Sequence, residues 1–237
     1  MRRSVKSFLL VISLAALGVG VLHPLQSHAS DTQTDTTTLA FNVYLGENKT
    51  PIGQHYFTVM PRSDDGYKIT SRCKFDVNFL FFNAYSYNHQ TEEVWQGGCL
   101  QRFQSKTIDN GDRTSVKGQK NKQRFTWQVN DGEQKSSTDC MRSFAYWKPA
   151  YLMAADKLFN PQTGKIVKVD INKEEVDEDE APVANAHQKI VIAADEIDIQ
   201  VFYNHALEWL GLVSKIDGNT LIYERDDTLE NSYEDLF

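Results

Sequence analysis

Tyr67-Lys68-Ile69-Thr70-Ser71-Arg72-Cys73-Lys74-Phe75-Asp76-Val77-Asn78-Phe79, continued through Leu80-Phe81-Phe82-Asn83-Ala84 to Tyr85-Ser86-Tyr87-Asn88-His89 and on to Trp95, is the stretch that decides the fold. Its odd positions Phe75, Val77, Phe79, Phe81, Tyr85 and Tyr87 share one face if a period of two is kept, which is the pattern of a strand with one buried side. Roughly thirty residues exceed any ordinary strand, so a hairpin bend is expected inside the run, near Phe82-Asn83.

The same rhythm extends in both directions. Upstream, Phe41-Val43-Leu45 alternates with polar partners, Gly46 to Pro51 turns the chain, Ile52 to Met60 returns, and Pro61 to Gly66 turns it again. Downstream, strands are predicted at Cys99 to Ile108, Thr114 to Gln119, Arg124 to Val129 and Ile166 to Ile171. Four more follow at Gln188 to Ala193, Ile197 to Tyr203, Leu207 to Lys215 and Thr220 to Glu224. Asp109-Asn110-Gly111, Asn130-Asp131-Gly132 and Asp217-Gly218-Asn219 are hairpin signals, because Asn and Gly tolerate the positive φ that tight turns require. One segment breaks the rhythm. Between Pro149 and Phe159, Tyr151, Leu152, Ala155, Leu158 and Phe159 recur at helical spacing, with Pro149 suited to a first helical turn and Asn160-Pro161 as a stop. The expected fold is therefore α+β but mainly β: a curved antiparallel meander, a half-barrel or open barrel, with one short packed helix.

The chain has 237 residues, 41% of them apolar and 24% charged, which excludes a disordered or collagen-like polymer and a multi-span membrane protein. Its formal net charge of -7 is opposite to what phosphate neutralisation needs, so no nucleic-acid partner is expected. Residues 1–29 have the three-part build of a cleaved export signal: Arg2, Arg3 and Lys6, an apolar run from Phe8 to Leu22, and Ser27-His28-Ala29 before the cut. That run is shorter than the about 20 residues of a spanning helix, so cleavage after Ala29 and a periplasmic or secreted protein without an integral span are expected. Residues 30–38 read as a disordered polar spacer, 39–225 as a single β-rich domain, and 226–237 as a loose acidic tail.

Three cysteines, Cys73, Cys99 and Cys140, lie in the exported part, where disulfides persist. Sequence alone does not choose among the three pairings. Gly97-Gly98 and Ser136-Ser137-Thr138-Asp139 set two of them at turn ends, which favours Cys99 with Cys140. Cys73 falls inside the alternating pattern and reads as a buried free thiol with no histidine partner evident in sequence.

The usual catalytic spellings are absent: no G-x-S-x-G elbow, no H-E-x-x-H, no phosphate-binding glycine loop. No metal or cofactor is expected, since His55, His89, His187 and His205 do not stand at ligand spacing. The run Glu174 to Glu180 lacks the interleaved glycine of a calcium loop and reads as solvated. The nearest thing to a site is Tyr85, Tyr87, His89, Glu93 and Trp95 on one strand, where His89 and Glu93 could serve as acid and base. With His55, Tyr146 and Trp147 these residues form the candidate ligand-binding set, on the argument that a curved sheet rich in aromatics leaves an apolar concavity with few polar groups.

Several segments resemble an uncharacterised exported bacterial family, domain of unknown function 6134. They are Ile52-Gly53-Gln54-His55, Phe75 to Phe81 with Tyr85 to His89, Glu93-Val94-Trp95-Gln96-Gly97-Gly98-Cys99-Leu100, Phe144-Ala145-Tyr146-Trp147-Lys148-Pro149 and Asn160-Pro161-Gln162-Thr163-Gly164-Lys165. The resemblance runs from about Thr38 to Glu224. It implies that Cys99 and Cys140 are the paired positions, sets Cys73 outside the pattern, and supplies no activity. The expectation for function is a non-enzymatic binding protein for an apolar or amphipathic small molecule such as a lipid. Behind it stand an interaction module for another envelope protein, using the acidic segments, and a hydrolase built on His89 and Glu93.

Overall fold

The computed structural model describes residues 36–229 apart from 80, 81, 178, 180, 196 and 217, so the expected leader and most of the spacer lie outside the described residues. The strands are β1 (Thr37–Leu45), β2 (Thr50–Pro61), β3 (Gly66–Phe79), β4 (Phe82–Gln96), β5 (Cys99–Asp109), β6 (Asp112–Asn121), β7 (Arg124–Val129) and β8 (Lys135–Ser137). After them come helix α1 (Pro149–Met153), the short pair β9 (Lys157–Phe159) and β10 (Ile166–Lys168), then β11 (Asp170–Glu175), β12 (Gln188–Ala194), β13 (Ile197–Tyr203), β14 (Trp209–Ile216) and β15 (Asn219–Arg225).

Thirteen of these strands form one antiparallel sheet in the order β11-β12-β13-β14-β15-β1-β2-β3-β4-β5-β6-β7-β8. Every neighbour is also the next strand in sequence, except that β15 returns to pair with β1, Val43 facing Tyr223. This is the mainly β meander with one short helix that the alternation predicts, and the two edges, β8 and β11, fall in mid-chain. The tight turns follow the turn chemistry. Gly97 and Gly98, both at positive φ, form the two-residue link between β4 and β5, and Asn110 (φ 49°) with Gly111 (φ 100°) joins β5 to β6.

Three expectations shift. β3 ends at Phe79 directly opposite Phe82, so β4 begins at the residue where the bend was expected. The helix stops after Met153, because Leu158 and Phe159 leave the helical path to pair with Val167 and Ile166 across the Asn160-Pro161 turn. The strand expected at Ile166 to Ile171 divides at Val169: β10 belongs to the small hairpin and β11 to the sheet edge.

Residues 138–169 connect the two edges of the sheet. Their apolar members Leu152, Leu158 and Phe159 are essentially inaccessible to solvent. Leu152 and Leu158 pack with Phe41, Ile192 and Val201 in one cluster, and Phe159 with Trp95, Phe103 and Trp127 in another. The connection thus works as a strap laid across the inner face of the curved sheet. A third cluster, Val183, Ala186 and Phe202 with Val176 and Val213, shows that the loop after β11 folds back over the outer face. The disulfide joins Cys99 to Cys140 and closes a separation of 41 residues, and Cys73 is a buried free thiol.

Candidate functional site

Strand register places a row of polar side chains on the concave face. Residues directly opposite in an antiparallel pair share a face, and the pairings run His55 to Cys73 to His89, then Phe57 to Ser71 to Thr91, then Val59 to Ile69 to Glu93. The sheet therefore carries His55, Ser71, His89, Thr91 and Glu93 side by side, continued on β5 by Ser105 and Thr107.

These groups satisfy one another. His89 is buried, with Nδ1 2.8 Å from Thr107 Oγ1 and Nε2 2.9 Å from Thr91 Oγ1. A neutral imidazole donates from one nitrogen and accepts at the other, so the two threonines complete it. His55 Nε2 lies 2.7 Å from Ser71 Oγ, and its Nδ1 3.4 Å from Tyr223 Oη. Burial lowers the pKa of His89 from 6.5 to about 4. Burial also holds His55 well below its ordinary value, with repulsion from His89 as the smaller cause. His55 is half-buried and lines the cavity described below. Glu93 accepts from Trp95 Nε1 and from Ser143 Oγ, both at 2.7 Å; burial raises its carboxyl pKa, and these two donors oppose the rise.

The strap roofs this row. Ser105 Oγ donates to the Pro161 carbonyl at 2.6 Å, Trp127 Nε1 donates to the Gly164 carbonyl at 2.9 Å, and Tyr203 Oη donates to the Tyr146 carbonyl at 2.9 Å. Gly164 is required there: its φ is +65°, and a Cβ would stand 2.5 Å from Val129 Cγ2. Between roof and sheet lies a cavity of about 320 Å³. One wall is the polar row. The opposite wall is mainly apolar, formed by Ile197 and Ile199 of β13, Leu212 of β14 and Leu221 of β15 with Ser214 and Lys215 beside them, and the roof is Phe144, Tyr146, Trp147 and Asn160 to Gln162.

Of the residues singled out in the sequence, His55, His89, Glu93, Tyr146 and Trp147 line the cavity. Tyr85, Tyr87 and Trp95 do not. Tyr85 is partly exposed towards the far end of β4, beside Asp109. Tyr87 is buried between Phe75 and His89, and among the described residues its hydroxyl has no hydrogen-bond partner. Trp95 is fully buried against Tyr151 and reaches the cavity only through its bond to Glu93. Sequence reading missed Ser71 and Thr91, ordinary residues until the register sets them beside the histidines, and it missed the apolar wall from β13 to β15, which reads simply as core.

Both histidines have low basicity, and a general base works best with a pKa near the operating pH. The strands that carry them use their backbone N–H groups in the ladder. Cys73 stands between His55 and His89 in register, but burial drives its thiol pKa up, which suppresses the nucleophilic thiolate. Among the described residues, no three His, Cys, Asp or Glu side chains converge as a metal site. No helix among them is long and apolar enough to cross a membrane, a statement that does not bear on strands.

Against known families, residues 41–226 match the domain of unknown function DUF6134. The chain belongs to that family. Among solved structures, this DUF6134 chain is similar to the crystal structure of a β-barrel-like protein of the domain of unknown function DUF1849 from Brucella abortus. The TM-score is 0.54 at 12% identity, covering 80% of this chain and 94% of that one. At that identity the likeness concerns the fold. No curated protein matches the sequence. The disulfide fits an oxidising, extracytoplasmic location.

Proposed function

We propose that this DUF6134 protein is exported, loses residues 1–29, and acts in the periplasm or outside the cell as a non-enzymatic binding protein for an apolar or amphipathic small molecule. The observation that carries this reading is the roofed cavity of about 320 Å³, with an apolar wall facing a hydrogen-bonded polar row. That size stands at the small end of the range in which drug-sized ligands are held, and convergent polar groups in an apolar pocket are the usual build of such sites. A single chain or a compact ring system fits there, whereas both tails of a two-chain lipid do not.

The test is mass spectrometry of the mature protein isolated from its own envelope fraction without detergent, first native and then after solvent extraction. A stoichiometric small molecule that disappears when Leu212→Trp fills the cavity supports the reading. A protein of intact monomer mass that neither arrives loaded nor takes up any apolar compound defeats it.

The rival expectation of a docking module built on the acidic segments has thinner support. Glu174 and Glu175 belong to edge strand β11, and Glu174 pairs with Lys189 at 3.1 Å. At the start of the expected loose tail, Asp226 accepts from Asn42 Nδ2 at 2.9 Å and its N–H donates to the Ala40 carbonyl. Charged residues along an exposed edge also have a plain role in blocking edge-to-edge pairing.

A further inference from the structure

The chemistry of the cavity lining specifies the ligand more narrowly, and this inference rests on the reading that the cavity is the binding site. The polar row is made of hydroxyls and imidazoles, with the Glu93 carboxyl at its end. His55 is engaged by Ser71 and His89 by Thr91 and Thr107, and neither histidine has a carboxylate beside it that would stabilise an imidazolium. Ser214, on the apolar side, adds one more hydroxyl. Formal charge in the lining is confined to two residues. Lys215 is more than half exposed and lies 3.4 Å from Asp198, so its charge is already answered in solvent. Glu93 accepts one hydrogen bond at each oxygen, from Trp95 and from Ser143, and is the buried acid of the lining.

A ligand anion entering this space would lose its hydration and meet no buried cation, with the acid of Glu93 in the same lining, a penalty that a few neutral hydrogen bonds do not offset. An uncharged hydroxyl, ester or amide faces no such penalty. It can exchange hydrogen bonds with the Ser71, Thr91 and imidazole groups, each of which can act as donor or acceptor. The wall of Ile197, Ile199, Leu212 and Leu221 then takes the hydrocarbon, whose burial stabilises the complex by about 25 cal/mol per Å².

We infer that the cavity selects a neutral single-chain or single-ring amphiphile, with its one uncharged hydrogen-bonding end on the His55–Ser71–His89–Thr91 row and its hydrocarbon against β13–β15. It discriminates against carboxylates of the same length.

Isothermal titration calorimetry of the mature protein at pH 7.5 with 1-octanol and octanoate tests this, because the common chain cancels the apolar contribution. Octanol is expected to bind at least tenfold more tightly than octanoate, and Ser71→Ala and Thr91→Val are expected to narrow that preference. Binding of octanol is expected to vanish in Ile199→Trp or, should that chain not fold, in Leu221→Phe. Octanoate binding as tightly as octanol overturns the inference while leaving the cavity as a binding site. Octanol binding that survives both cavity-filling variants overturns it as well, since the ligand then sits elsewhere. If neither compound binds, the inference falls, and the binding-protein reading is decided by the extraction of the native protein.

Discussion

Acidification should unfold this protein partly through one side chain. His89 is neutral, buried and closed by two threonines, and its pKa in the fold is about 4 against 6.5 in an exposed chain. Below pH 6.5 the unfolded chain takes up a proton at this position that the native state refuses, so the unfolded state gains. The stability from a depressed histidine is complete above its unfolded pKa and is lost as pH falls towards the folded one. Integrating the linkage between these two values, His89 alone removes about 2 kcal/mol by pH 5 and about 3 kcal/mol by pH 4, a large share of a typical folding free energy. His55 acts in the same direction. Glu93 opposes both, because its raised pKa makes the native state bind a proton that the unfolded state releases above about pH 4.5. The clean comparison is therefore between the natural chain and His89→Gln, which keeps an acceptor and a donor for the threonines, retains Glu93 and does not titrate. Urea unfolding at pH 7.5, 6.5, 5.5 and 4.5 should show the difference between the two chains shrinking or reversing by about 2 to 3 kcal/mol across the series. A difference that stays constant over that range would refute the neutral, desolvated histidine and the reasoning built on it.

Other outcomes follow from single contacts. Replacing Cys99 and Cys140 by alanine should cost about 4 kcal/mol by the chain-entropy argument for the loop they close, read as a lower urea midpoint. Tyr87→Phe removes a buried hydroxyl that has no partner and should leave stability equal or raise it by about 1 kcal/mol; a clear loss would mean that the hydroxyl is satisfied. Gly164→Ala forces a side chain into a left-handed backbone position against Val129 and should release the strap, seen as faster hydrogen exchange at residues 160–164 and a lower Tm. Cys73 in the native protein should resist a thiol reagent at pH 8 and react only after unfolding, as its buried position requires.

How much of this was legible in the sequence depends on the range of the interactions. Strands came from local alternation and turns from local glycine and asparagine, so the meander and its pairing of successive strands could be read directly. The helix was overextended because Tyr151, Leu152, Ala155 and Leu158 satisfy a helical period, yet the Asn160-Pro161 turn brings Ile166 and Val167 back to pair with Phe159 and Leu158, and a tertiary partner overrides periodicity. Within the candidate site, His89 and Glu93 were visible as polar residues on an apolar strand. Ser71 and Thr91 were not, since their significance comes from standing opposite each other and beside the histidines. The roof was half legible: Tyr146 and Trp147 drew notice as aromatics, but nothing local says that the carbonyls of Pro161 and Gly164 are tied to Ser105 and Trp127.

The pairing of β15 with β1 has a consequence for how the protein is made. Asn42 and Asp226, joined by a hydrogen bond, are separated by 184 residues. As the chain emerges, β1 finds its outer neighbour only when β15 has arrived, and contacts so distant in sequence slow folding. The growing chain can zip β2 to β8 in order, but its inner aromatic face remains open until the strap and the last five strands have followed. The longer the chain between the strap and β15, the longer that face stays uncovered.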